Sequence, residues 1–139
     1  MDRDDATTTP PPFAGVLETV LYIADEERAE AFYSGVLGMR LLDREPGRGL
    51  FYRAGPSVFL LFLPGATRSG GKLPPHGAVG PIHVCFRVDH CDYASWKEHL
   101  AGHGVPILRE VDWTNGRSFY FEDPDGNLLE IADADFWPR

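Results

Sequence analysis

The sequence predicts an α+β fold built from two βαβββ modules, and three observations carry that prediction. Apolar residues alternate with period two in eight short segments bounded by Gly, Pro, Asn or Asp. Two stretches with helical spacing interrupt them, each after the first strand of a group of four. The order β-α-β-β-β then occurs twice, roughly over 16–64 and 81–133, which marks a diverged internal duplication.

In the first module, "VLETVLYI" (16–23) alternates as a strand. Asp25 is placed to cap a helix that opens on Glu26 and Glu27, with Ala29, Phe32 and Tyr33 at core-facing spacing and Gly38 as the stop. "MRLLDRE", "GLFYRAG" and "SVFLLFLP" supply three more strands. In the second module, "PIHVCFRV" (81–88) is the first strand, and Asp92 can cap a helix carrying Trp96 and Leu100. "PILREVDW" follows, and "RSFYFEDPDGNLLEI" (117–131) reads as a hairpin. In it Asp123-Pro124-Asp125-Gly126 sets proline where φ near −65° suits a turn and glycine where φ is positive.

Residues 1–14, rich in Thr and Pro, predict a disordered tail ahead of a single domain spanning 15–139. The Gly/Pro-rich 65–80 links module one (16–64) to module two (81–133) and reads either as a lid or as a plain connector. At 139 residues the chain can bury one core. A net charge of −8 argues against nucleic acid or an anionic membrane as partner. No apolar run approaches the roughly 18 residues of a membrane helix, and the polar start is no signal peptide. Cys85 and Cys91 lack metal or redox spacing, which fits reduced cysteines in a cytoplasmic protein.

The duplication singles out three residues. Leu17, Thr19, Leu21, Ile23 and Val84, Phe86, Val88 should pack beneath the helices, which sends Glu18, Val20, Tyr22 and His83, Cys85, Arg87 to the opposite faces. Matching the modules strand for strand sets Glu18 against His83 and Leu60 against Glu130. Alone, Glu130 reads first as a solvated edge residue and only second as a carboxylate held by a partner. Two modules paired about a pseudo-twofold would form a curved mixed β-sheet cup, helices outside, whose concave face collects Glu18, His83 and Glu130. A divalent metal would account for two carboxylates and an imidazole converging there.

"LETVLYIADEERAEAFYSGVLGMRLL", "GPIHVCFRV" and "FYFEDPDGNLLEI" resemble the vicinal oxygen chelate superfamily, which includes glyoxalases, extradiol dioxygenases and bleomycin resistance proteins. The resemblance spans about 16–133 and implies paired βαβββ modules, a homodimer in many members, and a divalent metal. Carried over residue by residue, it puts metal ligands at Glu18, His83 and Glu130. The fourth position falls on Leu60, which binds no metal, and Glu18 stands where histidine or glutamine is more usual. Such a donor set suits Mn²⁺, Fe²⁺ or Mg²⁺, with Zn²⁺ and Ni²⁺ also compatible.

The resemblance implies two functions. One is a metal-dependent lyase, isomerase or dioxygenase of the glyoxalase type acting on a small oxygen-bearing substrate, with Glu18 and Tyr120 as catalytic groups. The other is a metal-free protein that sequesters an aromatic compound, as bleomycin resistance proteins do. Ser118, Tyr120 and Glu130 share the spacing of the fosfomycin thiol transferases, but Glu18 and Val20 depart from that pattern. Loss of a carboxylate at Leu60 departs from glyoxalase I, and His76 and His103 are the loose counterparts of a dioxygenase's catalytic histidine. Tyr22, Phe62, Trp113, Arg117 and Ser118 are expected to line the cup for a planar or anionic small molecule.

Overall fold

The computed structural model describes residues 9–133 and Trp137. Module one runs β1 (Glu18–Tyr22), α1 (Glu26–Glu30) widening into a π-helical turn (Ala31–Val36), β2 (Arg40–Glu45), β3 (Gly49–Ala54) and β4 (Ser57–Phe62). A short helix, α2 (Pro64–Arg68), opens the linker. Module two runs β5 (His83–Arg87), a 3-10 turn (His90–Asp92), α3 (Tyr93–Gly102), β6 (Arg109–Trp113), β7 (Gly116–Glu122) and β8 (Leu128–Ala132). The expected tail at 1–14 falls partly on residues 1–8, outside the described residues. Residues 9–14 are exposed and carry no regular structure. No helix among the described residues is long and apolar enough to cross a membrane.

Each module is one four-stranded mixed sheet, in the orders β1-β4-β3-β2 and β5-β8-β7-β6. In both, the first strand pairs parallel with the last, and the remaining pairs are antiparallel. The registers superimpose the duplication: Glu18 pairs with Val58 and Val20 with Leu60, as His83 pairs with Leu128 and Cys85 with Glu130. Leu60 and Glu130 therefore hold equivalent places, as the sequence match predicts.

Of the two expected caps one forms; Asp92 precedes α3 in helical φ/ψ and makes no side-chain cap bond. Asp25 is extended and accepts a hydrogen bond from the Arg28 amide, so it caps α1 as expected. The helix then relaxes into i to i+5 bonding, with the Leu37 amide on the Phe32 carbonyl, and Gly38 ends it at φ +67°. Each helix lies behind its own sheet, on the face opposite the expected cup. The helix residues Ala29, Phe32, Tyr33, Tyr93 and Leu100 share a single core with Leu21, Leu61, Phe119 and Leu129 from both sheets.

That core decides how the modules meet. Tyr33 packs on Phe59 of its own sheet (5.4 Å between ring centroids), Phe32 reaches Phe121 of the other (6.5 Å), and Phe59 meets Phe86 edge-on (5.5 Å). The two sheets thus turn their helix-bearing faces toward each other. Their other faces point apart, and the outward faces of one chain do not meet each other.

Candidate active site

The outward face of module two gathers the strongest group. His83 Nε2 lies 3.2 Å from Glu130 Oε1. His83 Nδ1 is 2.8 Å from the Leu128 carbonyl, which only accepts, so Nδ1 carries the ring hydrogen. In the neutral ring Nε2 is then a bare lone pair facing a carboxylate oxygen. Two acceptors at that separation need a proton or a cation between them. A histidine whose other nitrogen donates to a backbone carbonyl is also a common arrangement of a metal ligand. The pair therefore fits a divalent ion, supplying one nitrogen and one oxygen donor.

A chain of donors holds the carboxylate. Glu130 is buried, with 5 % exposure, and it lies across the ladder from Cys85 on one side and Tyr120 on the other. Burial raises the Tyr120 phenol above its ordinary value, and the Glu130 charge and its hydrogen bond add to that, so Tyr120 stays a donor at neutral pH. Burial and the same carboxylate push the Cys85 thiol up to about 12. Ser118 hydrogen-bonds Tyr120, and Trp113 Nε1 donates to Ser118 Oγ at 2.8 Å. Trp113, Ser118, Tyr120 and Glu130 thus form one line across the sheet. Sequence reasoning missed Cys85 as a neighbour of Glu130, although it named both residues on the right face.

Glu18 does not join them. It is exposed on the outward face of module one, and among the described residues no three His, Cys, Asp or Glu gather as a metal site. The reason is the shared core, which sets the two outward faces back to back.

Module one's outward face is aromatic instead. Leu60 is buried there, where module two carries Glu130. Phe62 contacts Phe51 (5.6 Å) and His76 (5.1 Å), with the Arg48 guanidinium 5.1 Å above its ring. Tyr22 Oη lies 2.7 Å from His76 Nδ1, so the linker is tied down over this face. His103 instead sits at the end of α3, against the His99 carbonyl.

Two expected lining residues are placed differently. Arg117 points to the helix side, its guanidinium 4.5 Å from the Tyr93 ring, because it alternates with Ser118 and shares a face with Phe119. Ser118 is on the expected face but fully buried beneath Trp113, so it reaches a ligand only through its neighbours.

Residues 15–131 match the profile of the Glyoxalase/Bleomycin resistance protein/Dioxygenase superfamily. The structure is similar to that of a lactoylglutathione lyase from Agrobacterium tumefaciens, with TM-score 0.85 and 33 % identity over 91 % of this chain and 98 % of that one. The lactoylglutathione lyase of Salmonella typhimurium is 28 % identical over 86 % of this chain and 92 % of its own length. A shorter match, 37 % identical over 35 % of this chain and 36 % of the relative, links it to the metallothiol transferase FosB of Staphylococcus epidermidis. Two four-stranded βαβββ modules and a profile match across nearly all the described residues lead to one conclusion: the chain belongs to the Glyoxalase/Bleomycin resistance protein/Dioxygenase superfamily.

Proposed function

We propose that the protein is a metal-dependent enzyme of the glyoxalase type, acting on a small oxygen-bearing substrate in a cup that closes between two copies of the chain. The carrying observation is the His83–Glu130 pair, two facing acceptors on an outward sheet face. In a homodimer, the outward face of one copy's module one covers the outward face of the other copy's module two. That arrangement supplies the missing third ligand as Glu18 of the partner subunit, together with its aromatic face around Tyr22 and Phe62. Relatives named lactoylglutathione lyase and metallothiol transferase support metal dependence, and make hemithioacetals the first substrates to test.

His83, Glu130 and the partner's Glu18 would hold the ion. Bound there, it supplies Lewis acidity toward a substrate's adjacent oxygens. The chain's own groups do the rest. Tyr120 donates to Glu130 and fixes its orientation, and the imidazole is fixed through Leu128. The Glu18 carboxylate, exchanging between ligand and base, would take a proton from the hydroxyl-bearing carbon beside a carbonyl and return it to the carbonyl carbon, as the hydroxyl proton passes to the carbonyl oxygen. Two glutamates cancel the ion's charge, which favours a substrate binding as an anion less than a site with one carboxylate would.

The test is metal content by ICP-MS on gently purified protein, beside a His83→Ala/Glu130→Ala double variant, with a Mn²⁺ titration to catch weakly held ions. Near one equivalent per chain, lost in the variant, supports the reading and justifies assays on hemithioacetals, diols and catechols. No metal by either route, with the variant as stable as wild type, sinks it. The buried Leu60 and the Tyr22, Phe51, Phe62 and His76 cluster favour a second reading, metal-free capture of an aromatic compound. That reading expects a metal-free protein whose melting temperature rises with an aromatic ligand.

A further inference from the structure

A cavity of about 470 Å³ lies between the modules, beside the free edges of β1 and β5. Val58, Phe59, Val84, Phe86 and Trp96 make its walls mostly apolar. Arg40, Arg53 and Arg87 also line it, and none of the three pairs with a described carboxylate. Three arginines with no described carboxylate partner surround an apolar hollow in a chain of net charge −8. They ask for an occupant with an apolar part and acidic groups.

The chain carries such a segment. Phe13, Val16 and Leu17 are 98 %, 76 % and 70 % exposed, although the sequence pattern expects Leu17 to pack beneath the helix. Ahead of Phe13 stand Asp2, Asp4 and Asp5 against a single Arg3. The arm is rooted at the cavity's rim, since the Val58 amide bonds the Leu17 carbonyl (2.9 Å) and Ser57 Oγ bonds that of Val16 (3.4 Å). From this rim it leads away, and Phe13 touches almost nothing in its own chain.

We infer that the cavity receives the N-terminal arm of a second copy, with Phe13 as its apolar anchor; the acidic sequence ahead of Phe13 is opposite in charge to Arg40, Arg53 and Arg87. This rests on the cross-chain site proposed above, which also fixes the reach. Cys85 lines the cavity and is the ladder partner of Glu130, but Val84, Phe86 and Ile131 line it too, so the hollow lies on the helix-bearing face and the arm reaches it round the free edge of β5. Phe13 stands five positions before Glu18. Extended chain covers about 17 Å over that length, enough for the partner's arm to enter while its Glu18 stands beside His83. A phenyl ring fits the hollow with room to spare, and burying it removes roughly 150–250 Å² from water.

The experiment places the photoreactive p-benzoyl-phenylalanine at position 13 of the full chain, irradiates it, and maps the products by gel and mass spectrometry. A covalent dimer linked to Val84–Val88 or Trp96 supports the inference. Cross-links confined to one chain, or landing outside the cavity, overturn it. In parallel, sedimentation compares Phe13→Asp and Phe13→Leu with wild type. Weakening of the dimer by about tenfold or more in Phe13→Asp, with Phe13→Leu near wild type, is the expected result. Equal dimerisation by all three overturns the inference. Metal content is read on the same samples. A metal-bearing dimer whose cross-links miss the cavity removes the arm and leaves the metal site standing, whereas a metal-free monomer removes the metal reading itself.

Discussion

Tyr33 on the first helical segment donates a 2.7 Å hydrogen bond to Asp123, ninety residues later in the turn of the last hairpin. Both groups are buried, and burial together with the Asp123 charge pushes the phenol far above its ordinary range, so the hydroxyl is a permanent donor. Asp123 also accepts from the side-chain amide of Asn127 (2.9 Å), and Asn127 in turn receives the Ile82 amide (3.0 Å). The modules are therefore joined by polar bonds as well as by their common core. Tyr33→Phe keeps the ring and deletes only the hydroxyl. It should lower stability by about 1–2 kcal/mol in urea denaturation, since Asp123 keeps its Asn127 partner. An unchanged midpoint would show that this bond contributes nothing across the modules.

Asp133 makes stability depend on acid. Burial raises its pKa, but the Arg117 amide at 2.7 Å and His90 at 2.8 Å outweigh that and hold it below 3.8. Because the folded value is the lower one, the contribution is complete above about 3.8, the unfolded value, and fades as pH falls through the folded value. The stability gap between wild type and Asp133→Asn should be flat above about pH 5 and narrow progressively below about pH 4. A gap that does not narrow in acid would assign the loss to packing alone.

Gly49 is required by contact rather than by φ. A Cβ built there would stand 2.5 Å from the Leu61 carbonyl and 2.9 Å from the Phe62 ring. The carbonyl belongs to the ladder and cannot retreat, so Gly49→Ala should cost about 1–3 kcal/mol. It should also displace Phe62, and with it the His76 contact that holds the linker over module one. Thermal unfolding reads the first effect, and limited proteolysis of the linker the second.

Leu60→Glu restores a carboxylate at the place equivalent to Glu130. Without metal the variant should lose about 1–3 kcal/mol, because Leu60 is buried among apolar neighbours. With Mn²⁺ added, the proposed cross-chain site predicts that much of this loss is recovered and that metal binds more tightly than in wild type. Equal destabilisation with and without Mn²⁺ would place Leu60 away from any metal.

Both modules, nearly every strand, both main helices and the His83–Glu130 pair were legible in the sequence, because each follows from local periodicity or from the strand-for-strand repeat; the cap expected of Asp92 was not formed. Asp25 needed only its position before two glutamates. What covers each face was not legible. Alternation sorts residues into two faces but carries no information about which face meets the other module. Whether Glu18 stands beside His83 within one chain was therefore open, and the Phe59–Phe86 contact turns the opposite faces inward. Arg117 could have been placed correctly: its parity with Phe119, rather than with Ser118, assigns it to the helix side. Leu17 could not, since only the end of β1 at Glu18 shows that the strand stops before it.

If the site is divided between two copies as proposed, turning the sheets' outward faces apart has a genetic consequence. A pocket assembled from opposite halves of two polypeptides can be broken in either half without losing the other. A Glu18→Ala chain still offers an intact module two, and a His83→Ala chain an intact module one. Each alone would be inert, yet co-expressed they would form mixed pairs in which one of the two pockets is whole. Complementation between dead alleles is thus expected of a divided site, and it could not arise if each chain carried a complete one.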